Sequence, residues 1–495
     1  MDALSVRNDL PAFPLLLASI VLTVLCLLLL SAYRDRLRSH IERGCSDRAF
    51  WISFVSVAGV LTLFFTDLQP HVFPWGGMDR YFVRAINLLS HGVFGYGTVP
   101  TAIFPPGYSF LLLPALLLLG ETRWAFFLTN VALMVAFAIV LRLVLVRLGA
   151  SRQTANLLTL LVAFYPNRLL WTLLPFSDVP FSLLYGTAFA LLMLRFLRGG
   201  GFASALGIGV VAGAATLVRS NGLVLFLPLF IGIVAGKSGE RRLRVRQSLA
   251  ALGLFLLLLT PWAVRNYHLF GRLVPGSTNA GINIAIGNNP SAPVTHNYYI
   301  DSVWADSSDW VPVGGVHWNE AQRDSFFGHL GTTYAEEHPW DFALRGLKKL
   351  QLTFQSDNFS FGLLSTYTNA TTVVYAATRD SRLPRWLVGF SAAMVGTALT
   401  LLLILNGTFY YLLVIGSLYL LSSRHALLPP TLRWVVLLIV GGVAAMVVAT
   451  FGLSRYKEPV EIVLMLSCIA EVLLRFTPHR AVTPPDHPGV SGSLT

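Results

Sequence analysis

Trp75-Gly-Gly-Met-Asp79-Arg-Tyr81, running on through Arg84, Ala85 and Leu88 to Phe104-Pro-Pro-Gly-Tyr108, is a polar island carrying an acid between two strongly apolar regions. On its N-terminal side lies an apolar run at 49–66, and on its C-terminal side another at 122–146. An α-helix needs about 20 apolar residues to cross a bilayer core, so both runs read as membrane crossings and the island as what the chain exposes at a membrane surface. The bulk composition agrees. Of 495 residues, 55% are hydrophobic and only 12% charged, against about a quarter charged in soluble domains, and mean hydropathy is +0.64. The fold class is therefore an all-α polytopic membrane protein.

The net charge of +12 does not point to nucleic acid, because the basic residues fall mostly in short loops between apolar runs, as the positive-inside rule requires. Cys26, Cys45 and Cys468 lie in or beside apolar runs without paired or metal-ligand spacing, and predict neither a disulfide framework nor a zinc site.

Working outward, the run at 11–31 is followed by Arg34, Arg36, Arg38, Arg43 and Arg48 rather than by a small-residue cleavage site. It reads as an uncleaved helix with a cytoplasmic C-terminal end, which with its loop makes an N-terminal unit at 1–48. The run at 49–66 returns outward and places 67–121 on the external side. Within that loop, Phe82, Ala85, Ile86 and Leu89 recur with helical period, and 105–119 opens on Pro-Pro and is short for a span. Both segments predict juxtamembrane helices. Crossings follow at 122–146, 152–170 and 176–196, and 203–236 is long enough for a hairpin with Arg219-Ser-Asn-Gly222 at its external tip. The run at 247–264 crosses outward and completes a membrane core over 49–264.

Residues 265–384 form the long polar segment, predicted as a small external α/β or irregular domain rather than a free linker. C-terminal helices occupy 385–476, from runs at 386–405, 408–421, 433–452 and 459–476, for about 11–12 crossings in all. The short run at 408–421 is read as re-entrant or interfacial, since Arg455 to Lys457 are then external and the tail 477–495 is cytoplasmic and disordered.

Several external residues are candidates for chemistry, and each has a plain structural alternative. Asp79 alone would be a solvated loop carboxylate, but Tyr81 and the Pro-Pro-Gly-Tyr turn accompany it. Asp178 opens a crossing, where a helix N-terminus favours an acid for its own sake. Arg219, flanked by Ser, Asn and Gly at a hairpin tip, suits an anionic group at any pH. Arg265, Arg455 and Lys457 are helix-end cations that would serve either a ligand or lipid headgroups.

Taken in order, these stretches carry a resemblance. Asp79 with Tyr81, Phe104-Pro-Pro-Gly-Tyr108, Ser177-Asp178, Leu217-Val-Arg-Ser-Asn-Gly222, Pro261-Trp-Ala-Val-Arg-Asn-Tyr267, Ser277-Thr-Asn-Ala-Gly-Ile-Asn283, Gly287-Asn288 and Arg455-Tyr-Lys-Glu-Pro459 resemble the pattern of the GT-C superfamily of membrane glycosyltransferases. The likeness is narrower to its protein mannosyltransferase and aminoarabinose transferase-like branch, and covers about 49–476. It implies that Asp79 is the general base and that 80–119, with Tyr81, Pro106 and Tyr108, frames the acceptor and the lipid entrance. It also implies that Arg219, Arg265, Arg455 and Lys457 hold a donor phosphate, with Asp178, Trp262, Asn266, Asn288 and Tyr456 as further substrate contacts. Arg80 occupies a position where many relatives carry a second acid, so no metal is predicted, although a divalent cation would be compatible with the site. The helix at 11–31 is an addition to the pattern.

The implied partners are a polyprenyl-phosphate sugar, a lipid, glycan or protein acceptor, and membrane lipids. The implied activity is inverting sugar transfer on the external face of a bacterial inner membrane. A transporter or flippase of lipid-linked sugars, or a lipid-linked glycan polymerase or ligase, is the alternative. A transporter would place ionisable groups at the midplane within inverted repeats, whereas here the charges cluster at external helix ends.

Overall fold

The computed structural model describes residues 12–68, 80–122, 124–236, 239–289, 319–355 and 385–476. Among them, all regular structure is helical apart from one antiparallel pair of two-residue strands, β1 (Gly95–Tyr96) and β2 (Val99–Pro100). Five helices are long and apolar enough to cross a membrane: Trp124–Arg147, Asp178–Arg198, Arg241–Phe270, Leu401–Ser422 and Pro430–Ala449. Four shorter apolar helices accompany them, Leu17–Ala32, Gly107–Leu119, Phe202–Val218 and Gly222–Ala235. The protein is an all-α polytopic membrane protein, and five long spans among the described residues is fewer than the 11–12 crossings expected.

In chain order, α1 (Ala12–Ala32), α2 (Arg34–Arg43) and α3 (Asp47–Leu68) lead to α4 (Arg80–His91), the β1–β2 pair and α5 (Gly107–Leu119). The core then runs through α6 (Trp124–Arg147), α7 (Arg152–Ala163), α8 (Pro166–Thr172), α9 (Asp178–Arg198), α10 (Phe202–Val218), α11 (Gly222–Leu225), α12 (Leu227–Ala235) and α13 (Arg241–Phe270). The break between α7 and α8 falls at Tyr165-Pro166, where proline cannot continue a helix but suits the first position of the next. The central element is α9, which packs on α6, α10 and α12 and buries Phe181, Tyr185, Phe189 and Met193. Its two ends differ in charge. It starts on Asp178 and finishes on Arg195 and Arg198, at the same end as the basic opening of α13, where Arg195 donates to Gln247. At that end Asp47 also joins Arg142 of α6 at 2.6 Å and Asn156 of α7 at 2.7 Å.

Beyond α13 come α14 (Ala280–Gly287), α15 (Glu320–Glu337) and α16 (Pro339–Phe354). The described part of 265–384 is thus helical, with no strand, where an α/β or irregular domain was expected. An Asn319–Gln322 capping box starts α15, α14 packs on α15, and α16 lies on the Pro430–Ala449 span.

The C-terminal part is α17 (Arg385–Ser422), α18 (Pro430–Ala449), a 3₁₀ turn at Ser454–Lys457 and α19 (Glu458–Phe476). The two runs expected at 386–405 and 408–421 are one helix of 38 residues, about 57 Å long. The helix runs unbroken through Asn406-Gly-Thr408. Thr408 donates to its own Ile404 carbonyl at 2.9 Å, and Ser19 of α1 donates to the same carbonyl at 3.2 Å. The additional N-terminal helix thereby packs along α17.

Candidate functional site

The end of the bundle opposite Arg195 gathers residues from four distant stretches. From the first loop, α4 contributes Tyr81. Its ring meets Phe104 and Tyr108 edge-on, with centroids 5.5 and 5.4 Å away. Its carbonyl accepts from Ser109 at 2.8 Å. The Phe-Pro-Pro-Gly-Tyr turn shapes this contact. Pro106 is buried at the start of α5, and its carbonyl takes the Phe110 amide at 2.9 Å. Gly107 lies so close to the end of α10 that a Cβ there would come within 2.6 Å of the Leu217 carbonyl carbon. The turn therefore docks directly beside Arg219. Tyr108 is fully buried and donates to Asn130 at 3.0 Å.

Ser177 precedes α9 but does not cap it with its side chain; it donates instead to the Tyr81 hydroxyl at 3.0 Å. The next residue, Asp178, is buried and forms an ion pair with Nη1 of Arg219. The guanidinium faces Tyr456, 5.3 Å from its ring centre, and Phe181, at 5.8 Å. Arg455 lies 5.5 Å from the Phe176 ring centre and 5.6 Å from that of Tyr456. Burial pushes the Tyr81 phenol up. The Ser177 hydrogen bond and the charges of Arg219 and Arg455 pull it back, while Asp178 opposes them. Tyr81, Asp178, Arg219, Arg455 and Tyr456 thus share one electrostatic neighbourhood, although no two of the four contributing regions are adjacent in sequence. Among these five residues two cations face one acid, and aromatic faces hold the guanidinium groups in place.

Other predicted residues are engaged nearby in holding the structure. Arg265 donates to the carbonyls of Thr101 at 3.1 Å and Phe94 at 3.0 Å and stacks on Trp262, 4.4 Å away. Trp262 donates to Gly276 at 2.6 Å, and Asn266 to Val274 at 2.9 Å. Arg265, with the Trp262 ring packed on Phe94, ties the end of α13 to the first loop, while the bonds to Gly276 and Val274 hold the segment that follows α13. Asn288 donates to Ala449 at 2.8 Å and accepts from Lys349 at 2.9 Å. Lys457 is buried, donates to the Gln355 carbonyl, lies 3.5 Å from Glu461 and sits over Tyr410. Asp79 lies outside the described residues, immediately before the first residue of α4.

Sequence reading passed over three contributors. Arg84, with 1% exposure, stacks on Tyr96 and Phe104 at 4.6 and 5.0 Å, and burial lowers its pKa. Its one-turn spacing from Arg80 was the available signal. Glu320 accepts from Thr101 at 2.5 Å, the Ala102 amide at 2.7 Å and Thr278 at 3.0 Å, and so joins the outer helices to the first loop. Ser177, read in the sequence only as part of the Ser177-Asp178 helix start, serves as a hydroxyl partner of Tyr81. No group of three or more His, Cys, Asp or Glu side chains suited to a metal occurs among the described residues.

Fold and site together define a polytopic helical membrane protein with a cationic, aromatic-lined cluster at one end of its bundle. No protein-family model matches the chain, and no curated protein matches it. Among solved structures, it is similar to ArnT from Cupriavidus metallidurans bound to undecaprenyl phosphate, at 15% identity and a TM-score of 0.41, over 86% of this chain and 78% of that one. It is also similar to an oligosaccharyltransferase from Archaeoglobus fulgidus in complex with zinc and sulfate, at 14% identity and a TM-score of 0.42, over 85% of this chain and 49% of that one. The apo state of the same ArnT matches at 14% identity with a TM-score of 0.35.

Proposed function

We propose that this protein is an inverting glycosyltransferase that moves a sugar from a polyprenyl phosphate to an acceptor hydroxyl or phosphate at the external face of a bacterial inner membrane. The observation that carries this reading is the convergence of Tyr81, the Asp178–Arg219 pair, Arg455 and Tyr456 at one end of an apolar bundle. A polyprenyl-phosphate sugar keeps its tail in lipid and its phosphate at headgroup level, and this is the depth at which such a cluster meets it.

Each residue then has a defined task. A guanidinium carries five N–H donors, so Arg219 can hold Asp178 through Nη1 and still present donors to a phosphate oxygen. Arg455, oriented by Phe176 and Tyr456, supplies a second cation. As the acceptor oxygen attacks the anomeric carbon, its proton passes to the Asp79 carboxylate. The bond from that carbon to the phosphate oxygen breaks, and its electron pair leaves with the polyprenyl phosphate. Fixed cations stabilise the charge that develops there, and removing the proton during attack is general-base catalysis. Asp79 is two residues from Tyr81 in the chain. One base, in-line attack and no covalent intermediate predict inversion.

The test is transfer by the purified full chain in lipid nanodiscs, using labelled polyprenyl-phosphate sugars and reading product configuration by NMR. Release of polyprenyl phosphate with an inverted product is expected. A retained configuration excludes the one-base mechanism. Movement of an unmodified solute across vesicles, with no donor consumed, overturns the reading altogether.

A further inference from the structure

Lys349, on the outer helix α16, is a lysine buried to 5% exposure away from the cluster described above. It reaches the C-terminal end of α18, where the last carbonyls of a helix have no intrahelical partner. Its Nζ donates to Val448 at 2.9 Å and to Asn288 Oδ1 at 2.9 Å, while Asn288 Nδ2 donates to Ala449 at 2.8 Å. Two consecutive orphan carbonyls of α18 are thus taken up by one coupled pair of side chains. The chain that follows is pressed against the same layer. Gly287 leaves no room for a side chain beside the Thr450 carbonyl, and a Cβ on Gly452 would meet the Lys349 carbonyl at 2.5 Å. At its far end the segment is fixed again, by Lys457 donating to Gln355, just past the end of α16. Between these two anchors lie Arg455 and Tyr456, the residues that face Arg219 and Phe176.

We propose that Lys349, acting with Asn288, is a positioning residue that clamps the end of α18 so that the 450–457 segment presents Arg455 and Tyr456 to the Asp178–Arg219 pair. The clamp is a geometric statement about the segment, and its effect on donor binding rests on the glycosyltransferase reading. A helix end held by a coupled pair of side chains makes a further prediction. Removing either member releases the same contact, so the two losses do not add.

The experiment uses the full chain in nanodiscs as wild type, Lys349→Met, Asn288→Ala and the double variant, followed by hydrogen exchange with mass spectrometry. Amides at 450–457 should exchange at least tenfold faster in each variant and no faster in the double than in the singles, while α9 and α13 keep wild-type protection. An unchanged 450–457 segment, or faster exchange spread evenly over the bundle, overturns the clamp. With a polyprenyl-phosphate sugar as substrate, KM should rise at least tenfold in the variants while kcat stays within about threefold. Loosening of the segment with an unaltered KM overturns the positioning role. If the wild type transfers no sugar, the proposed function fails, and the exchange pattern still decides the clamp.

Discussion

Arg219 and Asp178 are the residues whose roles the structure changes most. Read along the sequence, one is a hairpin-tip cation suited to an anion and the other a helix-start acid. In the fold they are partners, Asp178 buried and Arg219 half-buried with its guanidinium facing Phe181 and Tyr456. A buried pair broken on one side leaves an uncompensated charge, a loss of about 3–5 kcal/mol. Asp178→Ala should therefore destabilise the protein by that order in detergent unfolding, and Asp178→Ala with Arg219→Met should be the milder change. A double variant as unstable as the sum of its parts would show that the pair does not act as a unit. For activity, Arg219→Met should slow transfer about 10²–10³-fold, the usual cost of removing one fixed donor from a developing oxyanion, measured in single turnover. The candidates were legible individually because an apolar chain makes its external charges conspicuous. Their pairing was not, since it joins two helices whose contact no local pattern encodes.

At the scale of elements, the five long apolar helices and the helices α4 and α5 followed from hydropathy and from proline placement. The continuity of α17 did not. At its Asn-Gly-Thr stretch Thr408 meets the Ser19 carbonyl of α1, a contact that joins chain positions nearly 400 apart. Lys349 was hidden for a similar reason. It sits next to Lys348 on an amphipathic helix whose buried face holds Gly346, Lys349 and Thr353, so its burial depends on where α18 ends. That burial has a measurable consequence, because it pushes the Lys349 ammonium down to about 8, with Arg345 adding to the shift and Asp341 opposing it. An unfolded chain keeps this proton to about 10.4. Between those values the unfolded state binds more protons, so stability rises with pH across the window and this group contributes no slope below it. The apparent melting midpoint of the wild type should gain on that of Lys349→Met between pH 8 and pH 10. Parallel pH curves would contradict the burial of this group. Because a neutral amine still donates both hydrogen bonds, the clamp itself should persist through the titration.

For the whole molecule, the fold separates the two sets of residues that the positive-inside pattern would put on opposite sides of a membrane. Asp178, Arg219 and Arg455 gather at one end, while Arg475 and the 423–429 loop, which Glu471 accepts from at 2.8 Å, lie at the other end of α19. In a background lacking the three native cysteines, a cysteine at Leu453 should react with an impermeant maleimide from outside intact cells, and one at Ser423 only after permeabilisation. The reverse pattern would invert the molecule and place the cluster on the wrong side for an external acceptor. The central proposal is that the acid of the opening polar island, Asp79, removes the acceptor proton. Its most direct test is single-turnover sugar transfer by Asp79→Asn, with donor binding measured in parallel. Loss of about 10²–10⁴-fold in rate, the range for a general base, with donor affinity within about threefold of wild type, is the expected result. A folded Asp79→Asn protein that transfers sugar at the wild-type rate would contradict it.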